Sequence, residues 1–409
     1  MKKINFLSFV LLYSTSLIIA QNSSINYIEG EGISFLTNEG EYSFNIGGYI
    51  QPSYRSESLD GKLLSKDSDN IFMSKKSVFF LKGLMKNEKL SFMLSANFSS
   101  ENPLDEAWVS YKINKSLSLF FGQMLSFTNN RELMFREDKI QMNDRSMLSS
   151  TFSNTGREFG FFIKTKLKSP IGLLVPMFAL SSGDGINSFG NDSRDPDRGS
   201  FKFGGRLDLY PFGMFAENND NSTVDFFGEN ELKVVFGLAA SLNDGASNEV
   251  GEGHADFVLY DNLGLEDFPD FNQIYFDALL KYKRASLLIE YVDSYASDID
   301  EIYTLNPIEN GISNAILNPS EISKFLVIGD QLNIQLGYLS KSMVSFDLRY
   351  GKAIPEFLVE NSILKKFENY SLGISKYINK NVKIQALYNS NKFELNEDNY
   401  AELLIQVSF

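Results

Sequence analysis

The sequence predicts an all-β protein, a closed antiparallel transmembrane β-barrel of about sixteen strands. Three observations predict it. Apolar and polar residues alternate along most of the chain, short basic turns alternate with long polar loops, and the chain ends on an aromatic residue, Phe409. Successive side chains of a strand point to opposite faces, so alternation gives each strand one greasy and one polar side. A membrane barrel uses such strands with lipid outside and water inside.

Residues 1–20 read as a secretory signal peptide. Lys2 and Lys3 precede the apolar run INFLSFVLLYSTSLIIA, and Ala20 offers a small residue for cleavage before Gln21. Residues 21–40 read as a short periplasmic segment and hairpin, and 41–409 as the barrel. There is no cysteine, which removes disulfides, cysteine–metal sites and a lipoprotein anchor. Without Lys2 and Lys3 the 38 basic residues become 36, against 52 acidic ones, a balance that argues against nucleic acid as a partner. No later segment approaches the roughly eighteen apolar residues of a helical span. The abundance of Phe (36) and Tyr (19) suits a barrel rich in aromatic strands.

The alternation places strands at about 41–55, 71–85, 88–99, 104–113, 115–124, 156–168, 170–182, 200–212, 231–243, 271–283, 284–295, 322–340, 341–352, 368–378, 380–392 and 400–409. In 42–54, for example, Tyr42, Phe44, Ile46, Ile50 and Tyr54 oppose Ser43, Asn45, Gln51 and Ser53. Two places resist the pattern. Lys75, Lys76 and Lys82 do not share one parity, and 213–230 is too long for a short turn. A soluble sandwich or propeller would share the alternation, but no repeat of blade length is present.

Turns such as INKS (113–116), KSP (168–170) and INKN (378–381) face longer loops at about 125–155, 183–199, 244–270, 296–321 and 353–367. Short turns on one rim and long loops on the other is the pattern of bacterial outer-membrane barrels. An even strand count puts both termini on the short-turn rim. Pairing the last strand with the first removes both sheet edges, which a bilayer requires. Phe409 then ends the closing strand as the terminal barrel aromatic, at the lipid–water belt.

Several segments together resemble the phosphate-selective porin O and P family of outer-membrane channels. They are GISFLTNEGEYSFNIGGYIQPSY (32–54), LDEAWVSYKINKSLSLFFGQM (104–124), TGREFGFFIKTK (155–166), FGGRLDLYPFG (203–213), IGDQLNIQLGYLSKSMVSFDLRYGKAIP (328–355) and ENYSLGISKYINKNVKIQALY (368–388). The resemblance implies a sixteen-stranded porin, passive diffusion of small hydrophilic solutes or ions such as phosphate, and a homotrimer. It also implies a third loop, 125–154, folded inward as the constriction. Within that loop Arg131, Arg136, Lys139 and Arg145 are the constriction candidates, against Glu132, Glu137, Asp138 and Asp144. Lys75 and Lys76 stand nearest to the paired arginines of the family.

On the polar faces, Lys202, Arg206, Asp208, Asp277, Lys281, Asp347, Arg349 and Lys383 are lumen-wall candidates. They either read the solute or form an interior ion-pair network that stiffens the wall. Besides outer-membrane lipid and lipopolysaccharide, the expected partners are the solutes themselves and other outer-membrane proteins. A second reading follows from the last of these, a barrel with an occluded lumen serving as a structural subunit of a larger assembly. No enzymatic constellation is present: the sole histidine, His254, sits in an acidic loop away from the strands. The acid-rich stretch 183–197 lacks the spacing of an EF-hand, and no cofactor or metal is implied.

Overall fold

The last residues of the chain pair with the first barrel strand. In this computed structural model, which describes residues 24–28, 30–37, 42–58, 69–85, 89–183, 199–217, 219–251, 256–311, 317–394 and 396–409, the final strand runs antiparallel to the first from Asn399↔Ser58 to Ser408↔Tyr49. The signal peptide, His254 and nearly all of 183–197 lie outside the described residues.

The strands follow chain order around the ring: β1 Tyr42–Ser58, β2 Asp69–Met85, β3 Leu90–Asn97, β4 Leu104–Lys112, β5 Leu117–Leu125, β6 Arg157–Thr165 continued by Leu167–Ser169, β7 Gly172–Ser181 and β8 Lys202–Tyr210. They continue as β9 Lys233–Asn243, β10 Asp270–Tyr282, β11 Ala285–Ser297, β12 Gly329–Leu339, β13 Val344–Pro355, β14 Phe367–Asn379, β15 Val382–Phe393 and β16 Glu397–Ser408. All neighbours are antiparallel and the ring closes at sixteen. Both ends of the barrel chain lie on the short-turn rim. There the hairpin Ser24–Ile28/Gly32–Leu36 carries the seam past Phe409, Ile33–Leu36 pairing with Ser43–Ile46.

Alternation sorts the two faces as the sequence implies. Phe161, Phe178, Phe203, Phe236, Phe276, Phe346 and Leu372 point outward and are about half exposed, whereas Gln273, Gln331, Asn333, Gln335 and Gln385 point inward and are buried. An outward apolar belt of this extent needs an apolar phase to cover it.

Two departures have local causes. The predicted strand 322–340 starts only at Gly329, because Pro319–Lys324 is a 3-10 turn. Pro319 cannot donate to a ladder, and the Asn318 N–H donates to Glu321 at 3.1 Å, which suits a capped turn rather than a strand. The strand 71–85 has mixed parity because β2 carries a bulge. Ile50 opposes Ser77 while Pro52 opposes Ser74, so Lys75 and Lys76 share the space opposite Gln51. A bulge re-aims side chains, and here two consecutive lysines both reach lumenal carboxylates.

Candidate pore and constriction

Loop 126–156 leaves β5 and turns into the barrel. Its residues Ser126–Leu133 are buried, and it ends in the short helix α1, Met147–Phe152, capped by the Ser146 side chain accepting from the Ser149 N–H. Between these points its most deeply buried side-chain anchors fall on one sector of the wall, β8 to β15, while Glu137, Asp138 and Asp144 reach β16, β1 and β2.

Four charges make the first anchor. The Arg131 guanidinium donates to Asp277 (2.7 Å) and Asp208 (2.6 Å), and Arg206 donates to the same two carboxylates (2.6–2.8 Å) and to the Asn129 carbonyl (3.0 Å). Two cations and two anions, all buried, cancel. Ion pairs removed from water survive only when remaining donors and acceptors are matched, as here. The second anchor is Glu132, whose carboxylate accepts from Arg349 (2.9 Å), from the Ser146 N–H (2.7 Å) and from the Ser149 hydroxyl (2.6 Å), while its own N–H donates to Glu290 (2.7 Å). The third is Gln141, which donates to Asp347, accepts from Gln335 (2.8 Å), and through its carbonyl accepts from Gln385 (3.0 Å).

The wall is notched to receive the loop. β-Carbons added to Gly204, Gly237, Gly337 and Gly373 would meet Thr128, Arg131, Gln141 and Met142, respectively, at 2.2, 2.7, 1.4 and 3.1 Å. Each glycine occupies a lumen-facing position where alternation alone would admit a polar side chain.

The opposite wall, β1 and β2, stays wetter. The side chains of Arg55, Lys75, Lys76 and Lys82 are 18, 11, 31 and 37% exposed, against 0–4% for Arg131, Arg206, Lys202 and Arg349 on the pinned side. Each of these wetter cations has an acidic partner. Arg55 and Lys75 contact both Asp144 and Glu402, Lys76 lies 3.8 Å from Glu137, and Lys82 pairs with Glu31. Burial alone would raise the Glu137 carboxyl, but Arg157, Arg145 and Lys76 outweigh it and hold the group well below its ordinary value. Tyr49 adds a hydroxyl bond to the same carboxylate at 2.9 Å.

Of the four loop cations expected at the constriction, the structure gives each a separate place. Arg131 is committed to the wall. Arg145 braces the loop internally, donating to the carbonyls of Glu132 and Phe135. Arg136 lies over the Phe80 ring (4.4 Å) and pairs with Asp138, and Lys139 reaches Asp138 and the Gly30 carbonyl; these two face the short-turn mouth. Among the wall candidates, Lys202 pairs with Glu158 (2.7 Å), and Lys281 donates to the carbonyls of Asn219 and Ser222. Asp347 accepts from Ser345 and Gln141, and Lys383 is buried near it. Mixed signs therefore serve mostly to fasten the loop.

The segment 213–230, which strand counting cannot place, is a long connector from β8 to β9 on the short-turn rim. It folds into the mouth. Asn219, Ser222, Thr223, Val224 and Asp225 are buried, and Val224 packs on Leu339 and Tyr377. Between the connector, the loop and the hairpin turn remain two cavities of about 260 and 300 Å³ that share Glu31, Lys139 and Asn221 in their linings.

Comparison with known proteins follows the same architecture. No family model and no curated protein matches the sequence. Solved structures do match. The chain is similar to the outer-membrane channel DcaP of Acinetobacter baumannii, with 12% identity and a TM-score of 0.55 over 91% of this chain and 99% of that one. An anion-selective porin from Comamonas acidovorans aligns with 12% identity and a TM-score of 0.53, over 90% and 100% of the two chains. OprB of Pseudomonas putida gives 11%, 0.53, 90% and 94%. The fold is that of the outer-membrane porins. The narrower resemblance to the phosphate-selective O and P family rests on the sequence motifs alone.

Sequence reading did not single out Glu290, Gln141, Gln335, Arg55 or Glu402 as site residues. Glu290, Gln335 and Glu402 sit at polar positions of alternating strands, the same signal that marked Arg206 and Arg349. Gln141 carries no such signal, since only the tertiary path of the loop brings it to the wall.

Proposed function

We propose that the protein is an outer-membrane channel for passive diffusion of small hydrophilic solutes and ions, with the passage running along β1 and β2 beside the inward loop. The observation that carries this reading is the contrast in exposure between Arg55, Lys75, Lys76 and Lys82 and the dry, pinned side. Charges close to the permeant path set selectivity. Each cation here has a carboxylate beside it, so the path attracts both signs and ion selectivity is weak. That does not favour a strongly phosphate-selective pore. A homotrimer belongs to the same reading through the family resemblance.

One observation favours a second reading, an occluded barrel within a larger assembly. The outer loops build an apolar cap in which Leu259, Ile302, Leu317, Ile322, Leu326 and Ile328 bury one another. Planar-bilayer recording from pure folded protein separates the two. Discrete conductance steps are expected; a silent bilayer with protein that still migrates as a folded, heat-modifiable band would favour the occluded subunit.

A further inference from the structure

We infer that the connector 213–230 is a second constriction on the short-turn side, and that Lys281 is the residue that positions it. This deepens the channel reading and rests on it for its readout. The other connections on that rim among the described residues are brief: β10 turns into β11 through Lys283 and Arg284 alone, and β14 into β15 through Lys380 and Asn381. A connector of this length could hang clear of the barrel. Instead Asn219 and the run Ser222–Asp225 are buried, and the connector meets three separate partners.

The first partner is the inward loop. The Ser222 hydroxyl donates to the Lys139 carbonyl at 2.8 Å, and the Thr223 N–H donates to the same oxygen at 3.1 Å. The second is the wall. Lys281 on β10 donates to two connector carbonyls, Asn219 and Ser222, the latter at 2.7 Å, and its ammonium lies 4.9 Å from the Phe215 ring centre. A buried ammonium that is given backbone carbonyls and a ring face acts as a clamp, because leaving it unmatched would cost its hydration. The third is the rim itself. Asp225 accepts from the N–H groups of Gly228, Glu229 and Arg284, and Phe226 packs edge-on to Tyr377 at 4.9 Å.

The clamped residues hold Asp220 and Asn221, both exposed, at the lining of the 300 Å³ cavity. Across that cavity stand Glu31, Lys82, Arg136, Lys139 and Lys164. The connector thereby narrows the mouth from one side, and the hairpin turn and inward loop narrow it from the other. A solute leaving the β1–β2 path crosses this gap.

Two variants test the inference by single-channel recording in planar bilayers. Replacing 217–226 with two glycines should raise single-channel conductance by about twofold or more, since a narrow segment in series dominates the resistance of a pore. Lys281→Ala combined with Ser222→Ala keeps the connector at full length and should raise both conductance and its fluctuation, whereas Lys281→Arg alone should keep the parent trace. Should the deletion fail to give a heat-modifiable band, the double variant decides alone. Parent-like conductance in a folded variant overturns the inference while leaving the channel reading in place. A parent that is silent but conducts after connector deletion would sink the open-channel reading and support the connector as the element that closes the mouth.

Discussion

The side-chain amide of Gln141 lies 1.4 Å from where a β-carbon on Gly337 would stand. The loop and the wall therefore occupy complementary volumes, and the missing side chain of β12 is filled by a side chain from a segment almost two hundred residues earlier. Gly337→Ala should expel that amide. Its bonds to Asp347 and Gln335 then fail, at about 1.5–3 kcal/mol for the bond to the carboxylate and about 0.5–1.5 kcal/mol for the neutral one. The displaced group is the end of a flexible chain, so the barrel should still assemble. Faster proteolysis within 126–156, with an unchanged heat-modifiable band, is the expected outcome, and parent-like protection would show that the notch is incidental.

Gly237→Ala should act more strongly. Its β-carbon would stand 2.1 Å from Arg206, 2.4 Å from Asp277 and 2.7 Å from Arg131. Those three side chains, with Asp208, form the buried charge cluster, and disrupting one buried pair costs about 3–5 kcal/mol. Arg131→Ala should release the same loop anchor without crowding the wall. Both variants should increase single-channel conductance. If Arg131→Ala conducts like the parent, the loop is held by its other anchors and the cluster is not its main fastening.

The pattern that found the strands could not find these contacts. Period two depends on each strand's own faces, and lipid outside with polar groups inside leaves it intact, so Phe203 beside Lys202 and Leu348 beside Arg349 were legible. Lumen residues on the same parity, such as Lys202, Arg206 and Asp208, were legible too. What each one touches was not, because a carboxylate at Asp277 looks the same whether it meets solute or Arg131. Gly204, Gly237 and Gly337 fall on polar parity with no side chain to show. Their meaning appears only when the loop is seated. The connector escaped for another reason, since burial of Ser222 and Asp225 depends on backbone bonds to Lys281 and Arg284 that carry no sequence period.

Selectivity should respond to the wet wall more than to the pinned one. Lys75→Gln with Lys76→Gln removes two positive charges at the bulge and leaves Asp144, Glu402 and Glu137 less compensated. The cation-to-anion permeability ratio should rise by about twofold, because fixed charge in a cleft changes the local concentration of mobile ions. Asp144→Asn should move it the other way. The effect should shrink at 1 M salt, where screening acts within about 3 Å. Reversal potentials in a salt gradient measure both. A larger shift from Lys202→Gln than from the lysine pair would place the path on the opposite wall.

Acid should loosen the loop through Glu137. Its carboxyl is held below its ordinary 4.5 by Arg157, Arg145 and Lys76. A depressed carboxyl stabilises the bonded state fully at pH values above 4.5, and that contribution fades as pH falls toward and through the lowered value. The contribution of this one carboxyl to conductance and loop protection should therefore be lost only below about pH 4.5. Glu137→Gln should show the acid-state conductance at neutral pH, with less change on acidification. A transition between pH 6 and 7 would assign the switch to some other group.

The closing seam makes the last prediction. Phe409 and Gly48 exchange both backbone bonds at 2.9 Å, and the Phe409 ring lies 3.0 Å from where a Gly48 β-carbon would stand. The ring thus covers a bare stretch of β1, as an aromatic side chain can do for a glycine in a neighbouring strand. Two losses can be separated. Deleting Phe409 removes the ring and both backbone bonds, each worth about 0.5–1.5 kcal/mol. Phe409→Ala removes the ring alone. Deletion should lower the temperature at which the folded band disappears in detergent gels by more than Phe409→Ala does, and Phe409→Tyr should restore most of it. If alanine and deletion are equally harmful, the ring rather than the backbone closure holds the seam. If both vanish from the membrane fraction yet refold normally in detergent, the terminal aromatic acts in delivery to the membrane, and its bonds to Gly48 are not what limits the barrel.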